Sequence, residues 1–384
     1  MVKFIHMGDC HLGGWRHPEL QELNFKSFQH VIDFSIKEKV NFVLIAGDLF
    51  DSPYPSIDTI KETFGEFRRL KEANIPVFLI AGSHDYSVSG KSFLDVLEKA
   101  GFAKNVHQSE EKNGSIILLP TIYKNIAIYG YPGKKSAMEI KELQNFKIHD
   151  SPGLFKILML HTALSDAIAV PIDTVDPSKL PKVDYVALAH LHVKYEKENR
   201  VYCGPTFPNN LAELEELKHG SFYLFNNGKV ERKEIKLKET LVFDIPLTDA
   251  FLAAETVTEH LSKDNLKDKI IILKLKGVLE KGRISNIDFS KIEDFIKKQG
   301  AYVLLKHTSK LQAHEPEFKM EIKSENLEKE VISTYKEDNP NKFNSLINDL
   351  MYALQAEKKE DETSKVFEER ILSESKKVIA SETT

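Results

Sequence analysis

FVLIAGDLFD, the stretch from Phe42 to Asp51, decides how this chain folds. Its first five residues are apolar, a run that is too short for a helix and typical of a strand buried on both faces of a sheet. The run ends in Gly47 and Asp48, so a carboxylate follows the carboxyl end of a central strand. In open α/β sheets, ligands bind at that edge. The stretch therefore predicts an α/β protein with its functional site at the edge of a sheet.

Four other apolar runs are also followed closely by aspartate or histidine. An isolated aspartate after a strand is usually a turn or helix-cap residue, and an isolated pair of histidines can lie on one face of an edge strand. Five sets in this order are not explained in that way, so we predict that they meet in one site. The four further sets are Lys3–Met7 with Asp9 and His11, Val77–Ala81 with Ser83, His84 and Asp85, Lys156–Leu160 with His161, and Tyr185–Ala189 with His190 and His192.

The residue types in these sets predict a metal centre. Aspartate oxygens and neutral imidazole nitrogens suit manganese, iron or zinc, whereas a magnesium or calcium site built of oxygens alone would not need so many histidines. The candidate ligands are Asp9, His11, Asp48, His161, His190 and His192, with Ser83 as a further candidate. They are too many for one ion, and the Asp48 carboxylate on the central strand is the natural bridge between two. Two ions roughly 3.5–4 Å apart clamp a phosphate and lower the pKa of a bridging water.

His84 remains after the ligands are assigned. We predict that it donates a proton to a leaving alkoxide and that Asp85 orients its ring. These two residues are the predicted catalytic pair of the site.

The order of predicted elements indicates the architecture. Up to residue 130, short apolar runs alternate with amphipathic helical patterns, which is typical of parallel strands joined by crossovers. From Lys156 onward the signals are mostly strands, so we expect a mixed sheet or two sheets packed together under outer helices. A small α+β domain begins near Thr240. Its predicted strands are Leu241–Leu247, Lys269–Gly277 and Ala301–Lys306, and its predicted helices are Asp249–Leu261 and Lys291–Gln299.

The segment from Asp338 onward carries a continuous apolar stripe at helical spacing, followed by a charged break and a second helical pattern. The stripe consists of Phe343, Leu346, Ile347, Leu350, Met351 and Leu354. An apolar stripe must be buried, so this segment either packs on its own domain or binds a partner.

The amino-acid composition indicates the general class of protein. Of the 384 residues, 41% are apolar and 29% are charged, which is ordinary for a globular protein. The two cysteines cannot form a disulfide framework, and we see neither a signal peptide nor an apolar run long enough for a membrane span. These features predict a cytoplasmic protein. The net charge of −5 argues against indiscriminate binding of nucleic acid through bulk charge, but a local basic surface is compatible with it.

Together the motifs resemble the five signatures of the calcineurin-like metallophosphoesterases. Within that superfamily the chain is similar to the SbcD-type (meiotic recombination eleven) DNA double-strand-break repair nucleases. The resemblance covers residues 1–236 through specific motifs, and after residue 240 it rests on domain order alone. The segments that carry it are His6–Gly13, Leu44–Asp51, Gly82–Asp85, His161, Ala189–His192 and Tyr202–Thr206.

This resemblance implies a four-layer α/β/β/α sandwich at 1–238, a small α+β capping domain at 239–330 that helps DNA reach the site, and a C-terminal helix-loop-helix at 338–384. It also implies manganese-dependent hydrolysis of DNA phosphodiester bonds, as exonuclease and endonuclease, by a centre of two Mn²⁺ ions. Mg²⁺, Fe²⁺ and Zn²⁺ are alternatives. His84 would face the scissile phosphate. One ion would be held by Asp9, His11, Asp48 and His192, and the other by Asp48, Ser83, His161 and His190.

The resemblance further implies three partners: DNA, a second copy of the chain, and the coiled coil of an SbcC-type (Rad-fifty-like) ATPase. The C-terminal stripe would bind the ATPase. Arg16 and His17, in the loop after the first motif, are candidate contacts to DNA phosphates, although most exposed charges are merely solvated. A protein with these partners is expected to be associated with the nucleoid in the cytoplasm.

Two positions depart from the family pattern. Ser83 stands where the family usually has asparagine, and Ala189 stands where it usually has glycine. A hydroxyl reaches less far than an amide carbonyl, and an extra methyl group could crowd the backbone beside the metals. Two alternatives to the nuclease therefore stay open: a phosphodiesterase or nucleotidase for small molecules, and a catalytically weakened scaffold that still binds DNA.

Overall fold

In a computed structural model of the chain, Phe42–Ile45 is a fully buried strand inside a six-stranded sheet. The structure describes residues 2–87, 92–112, 114–168 and 172–313, and after them 332–333, 335–337, 339–340, 344–358 and 364–380. The chain divides into two compact units, Met1–His314 and Glu315–Thr384.

The first sheet has the spatial order β15-β14-β1-β2-β3-β4. Its strands are β1 (Lys3–Met7), β2 (Phe42–Ile45), β3 (Val77–Leu79), β4 (Lys104–Asn105), β14 (Gly220–Asn226) and β15 (Lys229–Ile235). The first four are parallel, because helices connect them, and β14 returns antiparallel to β1. The carboxyl ends of β1, β2 and β3 therefore lie at the same edge.

A second sheet has the order β12-β13-β11-β10-β8-β7. Its strands are β7 (Thr121–Tyr123), β8 (Ile126–Tyr131), β10 (Phe155–His161), β11 (Tyr185–Ala189), β12 (Tyr195–Lys197) and β13 (Arg200–Tyr202). The four central strands are parallel, and the two edge strands are antiparallel to their neighbours. A short third sheet consists of β5 (Ser109–Lys112), β6 (Ser115–Leu118) and β9 (Phe146–Ile148).

Successive side chains of a strand point to opposite faces of its sheet, and this alternation produces the layers. In β1, Ile5 faces the helices and packs against Phe28 and Phe67, whereas Phe4 faces the second sheet. The Phe4 ring stacks on Phe42 with centroids 4.9 Å apart. The outer face of the second sheet is covered in the same way. The covering helices are α1 (Pro18–Lys37), α2 (Ile57–Glu72) and α3 (Phe93–Lys99) on the first sheet, and α4 (Met138–Leu143) on the second.

The predicted four-layer α/β/β/α sandwich is thus confirmed. Between the sheets lies an apolar layer that includes Leu44, Ile128 and Met159. Helix α5 (Leu211–Leu217) follows the second sheet and precedes β14.

Residues after Thr240 form a three-stranded parallel sheet with two helices. These elements are β16 (Thr240–Pro246), α6 (Ala253–Leu261), β17 (Ile270–Leu279), α7 (Phe289–Lys298) and β18 (Val303–Ala313). Helix α6 begins four residues later than predicted, because the Asp249 carboxylate accepts a hydrogen bond from the backbone N–H of Phe251 and holds a turn there. Ile270 and Ile272 pack against Trp15 of the sandwich. The domain boundary at 238 stays a prediction.

The second unit contains α8 (Ile347–Leu354) and α9 (Ser364–Ala380), which coincide with the two helical patterns of the sequence. Leu346 is buried, while Leu354 is 61% exposed. Phe343, predicted as part of the stripe, lies outside the described residues. Among the helices that the structure describes, none has both the length and the hydrophobicity that a bilayer crossing requires.

Candidate metal centre

The predicted site residues converge where the carboxyl edges of the two large sheets meet. β1, β2 and β3 deliver Asp9, Asp48 and the segment with Ser83, while β10 and β11 deliver the histidines. The backbone N–H of His190 donates to both carboxylate oxygens of Asp9, at 3.0 and 3.1 Å. This contact joins the edges of the two sheets.

Four of the predicted ligands have a left-handed backbone: Asp9, His11, Asp48 and His190 have φ values of 47°, 44°, 49° and 95°. Residues with a side chain adopt this conformation rarely, and it is concentrated at functional sites. Gly47, just before Asp48, has a φ of 104°, and a methyl group there would collide with the His161 ring. Glycine therefore lets the two sheets approach each other at the centre.

One group of possible ligands combines Asp9, His11 and His192, whose ligand atoms lie within 4.8 Å of one another. His11 Nε2 is 3.3 Å from His192 Nε2, and His192 Nε2 is 3.8 Å from Oδ1 of Asp9. Asp48 Oδ2 adjoins this group at 3.8 Å from His11 Nε2. These are the four residues that the family resemblance assigns to the first ion.

A second group combines Asp9, Asp48 and His161 within the same distance. Asp48 is central, because its Oδ2 is 3.2 Å from His161 Nε2 and its Oδ1 accepts the backbone N–H of His84 at 2.7 Å. Ser83 is also close, with its hydroxyl 3.4 Å from Asp48 Oδ2. Asp48 thus contacts residues of both groups, as expected for a bridging carboxylate.

Three of the imidazoles have Nδ1 next to an oxygen acceptor. His161 Nδ1 is 3.0 Å from the Ala46 carbonyl, His11 Nδ1 is 3.2 Å from Asp51, and His192 Nδ1 is 3.0 Å from Glu213. An oxygen acceptor at Nδ1 fixes the tautomer whose Nε2 has a free lone pair. All three Nε2 atoms then face the carboxylates of Asp9 and Asp48.

This donor set fits a divalent cation. In the described part of the chain, His161 Nε2 is buried and makes no hydrogen bond. A buried imidazole lone pair beside two carboxylates is costly unless a cation or a proton satisfies it. Mixed nitrogen and oxygen ligands suit manganese, iron and zinc.

The two carboxylates at Nδ1, Asp51 and Glu213, were not predicted as functional. Asp51 was recognised only as part of a motif. Glu213 lies on α5, and its backbone N–H donates to the Asn210 side chain at the start of that helix. A glutamate three residues after an asparagine indicates only a helix N-terminus, so no sequence signal connects Glu213 with His192.

The pKa values reflect this crowding. Burial lowers the pKa of His161, but the Asp48 and Asp9 carboxylates outweigh burial and raise it overall. Burial and the neighbouring His161 lower the pKa of His190 to about 4. His190 is therefore neutral at neutral pH, the form that binds metal. Its ring lies beside that of His161, with centroids 5.0 Å apart.

The structure corrects the role of Asp85. Its carboxylate accepts backbone N–H groups of Leu49, Phe50 and Gly82, at 3.0 to 3.1 Å. His84 instead has Nδ1 2.9 Å from the carbonyl oxygen of Asp51. The prediction that Asp85 orients His84 is therefore wrong, because Asp85 is 1% exposed and occupied with tying two loops together. Asp51 is the residue beside His84.

His84 itself lies at the centre, as predicted. One of its ring nitrogens is within 4.8 Å of ligand atoms of His11 and Asp48. Its side chain is 45% exposed, so an incoming substrate can reach it. Arg16 and His17 are both exposed at the entrance to α1. Their predicted contacts with DNA stay predictions.

Ala189 is fully buried among the apolar residues between the sheets. The Ala189 methyl group does not crowd the backbone, because the neighbouring residue is Gly8, which has no side chain. A methyl group on Gly8 would lie 2.8 Å from that of Ala189. The methyl of Ala189 thus occupies space that glycine at position 8 leaves open.

Gly8→Ala is expected to lower the free energy of unfolding by about 1–3 kcal/mol, because it overpacks this contact. Adding Ala189→Gly should restore most of the loss, since it removes the closest atom. Urea denaturation of both single variants and the double variant measures the coupling. Gly65→Ala, on α2 with no atom near its added methyl, is the control and should not destabilise. Additive effects of the two changes would contradict the proposed packing.

Comparison with known proteins identifies a family and several relatives of this chain. A family model described as calcineurin-like phosphoesterase matches residues 2–194. A protein of Methanosarcina mazei, called DNA double-strand break repair protein Mre11, is 29% identical over 336 residues, covering 82% of this chain and 51% of that protein. A protein of the same name from Archaeoglobus fulgidus is 25% identical over 359 residues, covering 84% and 77%.

A bacterial relative is also similar. The protein called uncharacterized metallophosphoesterase YhaO, from Bacillus subtilis, is 31% identical over 234 residues, covering 55% of each chain. The chain spans about half the length of the Methanosarcina relatives that it matches.

Proposed function

We propose that this chain, which belongs to the calcineurin-like phosphoesterase family, is a metal-dependent DNA nuclease that hydrolyses phosphodiester bonds at the centre around Asp48. The observation that carries the proposal is the convergence of three imidazole Nε2 atoms, each with Nδ1 beside an oxygen acceptor, on Asp9 and Asp48. DNA as the substrate is supported by the relatives named for double-strand break repair.

Two Mn²⁺ ions are the proposed cofactors. Asp9, His11, Asp48 and His192 would hold the first ion, and Asp48, Ser83, His161 and His190 the second. The serine hydroxyl is a short, neutral ligand, so we expect the second ion to be held less tightly. When bound, two such ions supply positive charge that polarises a phosphodiester and lowers the pKa of a water nucleophile.

The residues of the chain supply the remaining chemistry. His84, with Nδ1 against the Asp51 carbonyl, has its ring held in one orientation. In its doubly protonated form it would donate the Nε2 proton to the leaving oxygen and become a neutral imidazole. The Asp51 carboxylate also lies 3.2 Å from His11 Nδ1, so this one residue positions a proposed ligand through its side chain and the proton donor through its backbone carbonyl. Glu213 holds His192 in the same way.

The direct test is cleavage of linear duplex and single-stranded DNA by the purified chain in Mn²⁺, and with EDTA. Metal-dependent cleavage supports the proposal. If DNA is not cut but methyl p-nitrophenyl phosphate is hydrolysed, the chain is a phosphodiesterase for small molecules. If DNA is bound and neither substrate is hydrolysed, the chain is a scaffold.

We further propose that the apolar stripe on α8 binds the coiled coil of an SbcC-type ATPase, and that the nuclease is a homodimer working at the nucleoid in the cytoplasm. An amphipathic helix in a groove is a common mode of partner recognition. The stripe residues Ile347, Leu350 and Met351 are half-buried, and Leu354 is more exposed.

A chain that ends at Asp338 is expected to lose ATPase binding and to retain cleavage of DNA in Mn²⁺, because the metal centre lies entirely in the first unit. In the full chain, Met351→Asp should weaken ATPase binding at least about tenfold, since it places a charge in an apolar interface. Asn348→Asp, an exposed site on the same helix, is the control. Co-purification with the ATPase measures both. Unchanged binding by the truncated chain would contradict the proposal.

A further inference from the structure

Helix α5 lies between a predicted metal ligand and the three-stranded sheet of β16, β17 and β18. The carboxylate of Glu213, on this helix, is 3.0 Å from Nδ1 of His192. Two residues later, both carboxylate oxygens of Glu215 accept hydrogen bonds from the ammonium group of Lys274 on β17, at 2.7 and 2.9 Å. Successive residues of an α-helix are about 100° apart around its axis, so Glu213 and Glu215 project from opposite sides. The helix therefore connects the sheet with the metal centre.

The residue between the two glutamates anchors α5 to the same sheet. Leu214 is fully buried in an apolar cluster that includes Ile270 and Ile272 of β17. The Glu213 carboxylate is fixed to the start of the helix, because it also accepts the backbone N–H of Asn209 at 2.9 Å. The place of this carboxylate, and with it the support of the His192 ring, thus depends on where the sheet holds α5.

Lys274 is better placed for this task than its neighbour along the strand. Its side chain is 16% exposed, and it contacts both oxygens of Glu215. Lys276, two residues farther along β17, is 46% exposed and pairs with Asp244 of β16 inside the sheet itself. Partly buried pairs with two hydrogen bonds hold their geometry better than exposed ones. Lys274 therefore ties the sheet to α5, whereas Lys276 does not.

We infer that Lys274 is a positioning residue for His192: it holds Glu215, which fixes α5, and α5 holds Glu213 against the imidazole. This inference rests on the proposed metal-dependent function and deepens it, because it makes the three-stranded sheet a support of the metal centre. Loss of a direct partner of a metal ligand typically costs about 10–100-fold in metal affinity or activity. Lys274 acts at one further remove, so its loss should cost less.

The experiment measures Mn²⁺ binding to the full chain by electron paramagnetic resonance of the free ion, which requires no DNA. Lys274→Met removes the charge and is expected to weaken binding of the tighter ion about three- to tenfold. DNA cleavage at low Mn²⁺ should fall by a similar factor and recover when Mn²⁺ is raised. Glu215→Gln weakens the pair from the other side and keeps the test decisive if Lys274→Met does not fold. Lys276→Met is the matched control and should bind Mn²⁺ like the wild type.

A double variant tests the route through α5. Glu213→Ala removes the direct partner of His192 and should weaken Mn²⁺ binding about 10–100-fold. Adding Lys274→Met to it should cause no further loss, because the contact that transmits the effect is already gone. If the two losses multiply instead, Lys274 acts by another route and the inference is overturned.

The outcomes separate this inference from the proposed function. If the wild-type chain binds Mn²⁺ and cuts DNA, and Lys274→Met binds the ion equally well, the inference is overturned while the nuclease stands. Equal weakening by Lys276→Met would also overturn it, since the effect would not depend on α5. If the wild-type chain binds Mn²⁺ without cutting DNA, the nuclease falls and the Mn²⁺ affinity of Lys274→Met still decides the inference. If the wild-type chain binds no Mn²⁺, both fall.

Discussion

DNA cleavage by the Asp48→Ala variant is expected to be at least about 10³-fold slower than by the wild-type chain, and tightly bound manganese should fall from about two ions per chain to fewer than one. The reason is the central place of this carboxylate. Its Oδ2 is 3.2 Å from His161 Nε2 and 3.8 Å from His11 Nε2, so it contacts residues of both ligand groups. Removing a residue that only hydrogen-bonds a metal ligand lowers metal affinity or activity by about 10–100-fold. Removing a carboxylate that bridges two ions is expected to lower them further.

Asp48→Asn separates two roles of Asp48: its hydrogen bond to the backbone of His84 and its negative charge at the metal centre. Its Oδ1 accepts the backbone N–H of His84 at 2.7 Å, and asparagine retains an oxygen that can do the same. The loop with His84 should therefore stay in place while the negative charge is lost. We expect the asparagine variant to keep the stability of the wild type and to be nearly as inactive as alanine.

The matched control is Asp150→Ala. Asp150 is 75% exposed, and its carboxylate contacts Lys156 and the backbone N–H of Ser151, so its loss should leave cleavage and metal content unchanged. Cleavage rates, metal analysis of the dialysed protein and thermal unfolding together decide the outcome. An asparagine variant that loses stability but keeps two ions would show that Asp48 supports the loop rather than the metals.

The convergence of the candidate ligands could be predicted from the sequence because of a geometric rule. Parallel strands end at the same edge, so a polar residue after each buried run must lie near the others. That rule placed Asp9 with Asp48, and His161 with His190, without knowledge of the packing. It could not say that the edges of two different sheets face each other, since this depends on how the apolar layer between them is filled.

Residues that act through contacts between distant elements could not be predicted. Glu213 reaches His192 from α5, which belongs to neither set of crossover connections. Asp85 shows the opposite error, because its position next to His84 in sequence suggested a direct contact. The turn at residues 83–85 directs its carboxylate to the backbone of Leu49 and Phe50 instead. Adjacency in sequence is a poor guide to direction in a tight turn.

This correction leads to the second large effect. Asp85→Ala is expected to lower the free energy of unfolding by about 3 kcal/mol or more, because it leaves three buried backbone N–H groups without an acceptor. Burial raises the pKa of Asp85 to about 6, so urea denaturation is best measured near pH 8, where the carboxylate of the wild type is ionised. Asp85→Asn should lose less, since it retains one acceptor oxygen.

Asp51→Asn is the matched comparison, because Asp51 lies beside His84 and His11 and its side chain is 32% exposed. It should reduce the rate of cleavage by about 10–100-fold and leave the unfolding free energy within about 1 kcal/mol of wild type. Relative to the wild type, Asp85→Ala is thus expected to change mainly the free energy of unfolding, and Asp51→Asn mainly the rate of cleavage. If Asp85→Ala instead unfolded like the wild type and lost only kcat, its carboxylate would act on His84 after all, and the backbone contacts at the two loops would contribute little to the fold.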